Sequence, residues 1–146
     1  MHRECGTLVE LNLVTDRALG KMKATITQRF KTEDGVEYDV DCDCQFFFFC
    51  ERLPTNGRER SWKVKYVKLI YMKDKMVAVD GHRVPVFDKA TLDRFPEGYK
   101  YLGAAQASLG YKIDLHLPTP HSKATWKRMY DCMEKWLSGL DADLFW

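Results

Sequence analysis

The chain has 146 residues, of which 45% are hydrophobic, 13% aromatic and 30% charged. That is one ordinary domain's worth of chain with enough apolar material for a packed core, and it excludes disordered, collagen-like and coiled-coil classes. Lys and Arg total 23 against 21 Asp and Glu, for a net charge of +2 with both signs spread along the sequence, which gives no footprint for nucleic acid or anionic lipid.

The first half alternates. Thr7 to Leu13, Lys21 to Phe30, Tyr38 to Cys50 and Trp62 to Met72 are rich in β-branched and aromatic residues, and turn chemistry (TDRALG, TEDG, LPTNGRE) fills the gaps. This predicts a four-stranded antiparallel meander. A second hairpin turning around Asp34 sets Arg29 opposite Asp39, Thr27 opposite Asp41 and Thr25 opposite Asp43. Ile26, Ala24 and Met22 then face Cys42, Cys44 and Phe46. One face is charged and one is apolar. Phe48 extends the apolar face along the third strand, and the same hairpin logic adds Val64, Tyr66 and Ile70 from the fourth, with His2, Glu10, Gln28 and Lys68 as its polar members.

The second half reads as helical. Val77 to Val86, with Asp80-Gly81 and Pro85, is the junction. Asp88 caps a short helix through Phe95, Pro96 opens another carrying Tyr99, Leu102 and Gln106, and Gly110 closes it. Ser122 then caps a helix in which Trp126, Met129, Tyr130, Met133, Trp136 and Leu137 repeat at i, i+3, i+4 spacing before Gly139. That stripe predicts a lid over the apolar sheet face. The expectation is a single α+β domain over 1–146: an antiparallel sheet over 1–76 and a helical extension over 77–146.

Chemical signatures are sparse. GxSxG, a phosphate-cradling glycine loop, HExxH and an EF-hand loop are missing. The five cysteines (Cys5, Cys42, Cys44, Cys50, Cys132) are odd in number and fit neither a disulfide framework nor a zinc site; they read as small buried hydrophobes in a reducing compartment. His116 and His121 lack the spacing of a ligand pair, His82 in DGHR reads as a turn residue, and Asp39, Asp41 and Asp43 read as a solvated cross-strand charge ladder. No metal or cofactor is expected. The longest apolar run, Phe46 to Cys50, is far short of the ~20 residues of a membrane span, and MHRECG lacks a signal-peptide apolar region, so a cytoplasmic protein without membrane contact is expected.

His2-Arg3-Glu4-Cys5-Gly6-Thr7, then Ala18-Leu19-Gly20, Gln28-Arg29-Phe30, Cys50-Glu51-Arg52 and Ser61-Trp62-Lys63-Val64 together resemble the sheet of fungal scytalone dehydratases. Those enzymes belong to the SnoaL-like, nuclear transport factor 2-like superfamily. The resemblance covers residues 2 to 75. The tail, with Pro96-Glu97-Gly98-Tyr99 and Glu134 to Gly139, is similar to fungal SnoaL-like proteins rather than to the dehydratase's own C-terminus. The resemblance implies a cone-like half barrel around an apolar pocket that performs cofactor-free dehydration, isomerisation or related chemistry on polyketide- or terpenoid-like metabolites. His2 falls on the family's first catalytic histidine; the second falls on Thr27, and a serine and an asparagine fall on Cys44 and Phe46. Family members carry helices before the first strand that hold a catalytic water, whereas Met1 directly precedes His2 here, so scytalone dehydration itself is not implied.

Two readings follow. In one, the chain is a pocket protein for an apolar metabolite, with Met22, Ile26, Cys44, Phe46 and Tyr66 as substrate contacts and His2 as the acid or base of a lyase or isomerase; whether it is an enzyme stays open. In the other, it is a non-catalytic module, or an inactive truncated family member, whose apolar face is closed by a second copy in a homodimer. A redox role for Cys42 and Cys44 stands third.

Overall fold

A computed structural model describes residues 1–54 and 60–146. Four strands, β1 (His2–Asn12), β2 (Arg17–Lys31), β3 (Glu37–Pro54) and β4 (Arg60–Ala78), pair in sequence order as one antiparallel sheet that is curved and unclosed. Helices α1 (Lys89–Leu92), α2 (Lys100–Ser108) and α3 (Lys123–Leu137) follow, with a 3₁₀ turn at Glu97–Tyr99 leading into α2. The architecture is α+β, as the sequence predicts. Of the LPTNGRE turn, residues 55–59 lie outside the described residues.

The β2–β3 register follows from the alternation pattern. Arg29 pairs with Asp39, Thr27 with Asp41, Thr25 with Asp43, Ile26 with Cys42, Ala24 with Cys44 and Met22 with Phe46. The hairpin closes where Thr32 and Val36 exchange backbone and hydroxyl hydrogen bonds and Gly35 takes the left-handed conformation, φ +88°. On one face, Arg29 binds Asp39 through both carboxylate oxygens, while the Thr25 and Thr27 hydroxyls donate to Asp43 and Asp41. Lys73 and Lys75 approach Asp43 and Asp41 from β4 at 3.4 and 4.0 Å. This is the predicted ladder, with every carboxylate engaged.

The helices end where their local chemistry dictates. The Asp88 carboxylate accepts from the Thr91 amide and the Ser122 hydroxyl from the Thr125 amide. Gly110 and Gly139, at φ +85° and +79°, take the left-handed conformation beyond α2 and α3.

The core differs from the expectation of one apolar face. Along β3 the buried positions are Tyr38, Val40, Cys42 and Cys44, then Phe47 and Phe49. The alternation changes phase within Phe46–Phe49, so the strand buries opposite faces at its two ends. Tyr38 to Cys44 join Ile26 and Phe30 under Tyr99, Leu102 and Ala105, the α2 face. Phe47 and Phe49 join Leu19 and Ile70 under Met129, Cys132, Met133, Trp136 and Leu144, the α3 face. Helix α3 is therefore a lid, but over the face opposite the Met22–Cys44 row, and α2 covers the face that the lid was expected to close.

The fourth strand needs a matching correction. Extra residues in β4 shift its register between Asp43 and Cys44 and between Phe49 and Cys50. Tyr66 pairs with Phe49 and Ile70 with Gln45, which places both on the α3 face, whereas Val64 opposite Cys50 stays on the α2 face. Glu10 opposite Leu19 and Lys68 opposite Phe47 likewise belong to the α3 face. Only His2 and Gln28 of the four polar residues remain on the α2 face, and Gln28 accepts a hydrogen bond from Gln106 of α2 at 3.1 Å.

Candidate functional site: the open half of the α2 face

Helix α2 is short, and it covers only the end of its face nearest the β2–β3 hairpin. Cross-strand pairing lays out what remains uncovered in three rows: Thr7, Met22, Phe46 and Leu69; Val9, Gly20, Phe48 and Val67; Leu11, Ala18, Cys50 and Val64. Val9, Leu11, Val64 and Val67 are each more than half exposed. Phe46 and Phe48 lie nearly parallel, with centroids 6.0 Å apart. Gly20 lies beside the Phe48 ring, where an added Cβ would stand 3.5 Å away, in ordinary van der Waals contact. The result is a contiguous apolar surface on a curved sheet, walled at one end by α2.

Polar groups gather where this surface meets α2. Asp74 of β4 accepts a hydrogen bond from the Leu102 amide at 2.8 Å and caps α2, whose own N-cap residue, Tyr99, makes no side-chain cap. Burial raises the Asp74 pKa above the ordinary carboxylate value, against the lowering effect of its backbone hydrogen bonds. Tyr71 lies 5.2 Å from Tyr99, ring to ring, and burial raises its phenol pKa. Burial also pushes the Cys42 thiol up and the Cys44 thiol up to about 12, with neighbouring acidic groups adding to both shifts. Thiols held this way carry almost no thiolate at neutral pH, which argues against the redox reading.

The residues singled out from the sequence fall in four places. Met22 and Phe46 are paired neighbours on the open surface, both partly buried. Ile26 and Cys44 share their face but lie buried in the α2 core, at 8% and 2% exposure. Tyr66 is on the opposite face, edge-on to Trp136 at 5.8 Å. His2 is exposed at the β1 edge of the α2-covered end, paired with Ile26 and two cross-strand rows away from the Thr7–Met22–Phe46 row where the open surface begins; the Met1 amine and carbonyl bond to the Thr27 backbone, so this strand end is tied down rather than frayed. The imidazole makes no hydrogen bond among the described residues, and Thr27 points to the other face. The sequence reading missed Val9, Leu11, Val67 and Leu69, whose signal was the alternation of apolar residues along β1 and β4.

The fold and this surface define a class: an α+β protein with a curved sheet and one uncovered apolar face. No family model matches the chain. It is similar to "Pea pathogenicity protein 2" of Fusarium vanettenii, 43% identical over 119 residues, which is 81% of this chain and 48% of that protein. It is also similar to a PEP2-like protein of the same fungus, 37% identical over 147 residues (95% of this chain, 60% of that protein). An uncharacterized protein of Emericella nidulans is 35% identical over 151 residues, 99% of this chain and 63% of its own length. The homologues are thus fungal PEP2-like proteins, and the chain spans only about half to three-fifths of their length. No helix among the described residues is long and apolar enough to cross a membrane.

Proposed function

We propose that the chain is a pocket-forming protein of the SnoaL-like, nuclear transport factor 2-like class that binds an apolar polyketide- or terpenoid-like metabolite of fungal secondary metabolism. The observation that carries this is the open α2 face, where Met22, Phe46, Phe48, Val67 and Leu69 form an apolar bed beside a polar margin. Binding sites for such ligands have this composition: mostly apolar lining with a few polar groups to orient the ligand. Any chemistry would be cofactor-free lyase or isomerase chemistry with His2 as the acid or base, the residue that falls on the resembled family's first catalytic histidine. Five free cysteines support work in a reducing compartment such as the cytoplasm.

Thermal melting against a panel of aromatic polyketides and terpenoids tests the reading, because a ligand that binds only the folded state raises the melting temperature. One or more members should stabilise the protein, Phe46→Asp should remove the shift, and His2→Ala should leave binding while removing any turnover. A panel without effect on the wild type sinks the proposal.

The same face supports a second reading, a homodimer in which another copy covers Val9, Leu11, Val64 and Val67, because large exposed apolar patches mark interfaces. Light scattering separates the two. A mass twice the 17.1 kDa of the chain that falls to the monomer on Phe48→Glu favours the dimer; a monomer that loses ligand binding on the same substitution favours the pocket.

A further inference from the structure

The α3 face has an opening of its own. Between the exposed edge of α3 and strands β1 to β3 lies a groove of about 450 Å³, a volume within the range of small-molecule sites. Its floor is Phe47 and Gln45, and Leu8 and Tyr130 contribute to its walls. Phe47 is buried, while Leu8 and Tyr130 are 58% and 46% exposed, so two largely apolar side chains flank a floor in which Phe47 lies beside Gln45 and Lys21. The bulge in β1 leaves the wall thin at Gly6, where a Cβ would meet nothing within 4 Å.

Charge in the groove is one-sided. Lys21 lies 6.0 Å from the centre of the Tyr130 ring and is paired with Glu10. Lys23, between Gly6 and Gln45 in the register, is exposed and has no carboxylate partner among the described residues. Lys73 and Lys75, on the same face, have Asp43 and Asp41. An ammonium beside an aromatic-lined slot is complementary to a flat molecule with a negative end.

We infer that this groove is a second binding site, separate from the open α2 face, for a small aromatic carboxylate whose ring lies between Leu8 and Tyr130 over Phe47 and whose carboxylate meets Lys23. A two-ring aromatic fits within a space of this size, and the carboxylate supplies the partner that Lys23 lacks. The inference stands whether or not the α2 face takes a metabolite.

The test is a titration with 2-naphthoate followed by amide NMR shifts, beside neutral 2-naphthamide and ringless acetate. Naphthoate should shift the amides of Leu8, Lys23, Gln45 and Tyr130 and bind at least about tenfold more tightly than either comparator. Lys23→Met should erase the preference for naphthoate over naphthamide, and Tyr130→Ala should weaken both ring compounds. Lys73→Met, on the same face but already paired, should change nothing. All three side chains are exposed, and an otherwise unchanged spectrum verifies the fold of each variant. No binding, equal affinity for naphthoate and naphthamide, an inert Lys23→Met, or shifts centred on Val9, Gly20 and Phe48 would each overturn the inference.

Discussion

At the scale of single residues, the tightest constraint is a glycine. Gly98 packs against the β4 edge, where an added Cβ would stand 2.4 Å from the Tyr71 carbonyl oxygen and 2.9 Å from the Thr119 side chain. Backbone cannot swing aside as the end of a flexible side chain can, so Gly98→Ala should cost about 1–3 kcal/mol, the range for overpacking. Urea denaturation should show a lower midpoint with an unchanged slope. The same junction carries the Tyr71 amide bond to the Pro118 carbonyl and the Tyr99 hydroxyl bond to the Asp114 carbonyl. Together they tie the loop after α2 to the outer strand. None of this was legible beforehand, because Pro-Glu-Gly-Tyr reads as a helix opening and gives no sign of what its glycine touches.

Elements show where sequence reading succeeds and where it stops. The Asp88 and Ser122 caps, the left-handed glycines beyond α2 and α3 and the α3 stripe were readable because each depends on residues within a turn or two. The β2–β3 register was readable because apolar and polar residues alternate from Met22 to Thr27. The cap of α2 was not, since Asp74 reaches Leu102 across 28 positions of sequence. Asp74→Ala should destabilise the protein by about 0.5–2 kcal/mol through loss of that cap, measured by chemical denaturation. The pH dependence runs in an uncommon direction. Burial raises the Asp74 pKa in the folded state, so between its ordinary and raised values the folded protein holds more proton than the unfolded chain. Asp74 therefore subtracts stability as pH rises through that window and restores it as pH falls. Asp39 has the opposite sign: its bond to Arg29 lowers its pKa, and its contribution is lost as pH falls below the ordinary carboxylate value. Stability curves of Asp74→Asn and Asp39→Asn should diverge from the wild type with opposite slopes in acid.

Across the whole molecule, two half-cores share one sheet. The sequence could not reveal this, because four consecutive phenylalanines are apolar on both faces and carry no phase, and because the extra residues in β4 announce themselves only through the pairing. The consequence for stability is that β3 transmits strain between the halves. Met129, fully buried on the α3 side, should cost about 2–5 kcal/mol when replaced by alanine. Amide exchange should then accelerate at Val40 and Cys42 on the α2 side as well as at Phe47 and Phe49. Wild-type protection at Val40 and Cys42 in that variant would mean that the halves open independently.

The phase change within Phe46–Phe49 also has a meaning at the level of the gene. Removal of any one of these four phenylalanine codons would bring Tyr38, Val40, Cys42, Cys44 and the later phenylalanines into a single alternation, all on one side of the strand. A sheet that buries one face from end to end and a sheet that is roofed on opposite faces at its two ends are thus separated, in this strand, by one in-frame triplet. Loss of one phenylalanine from this run is the step that would cross between them.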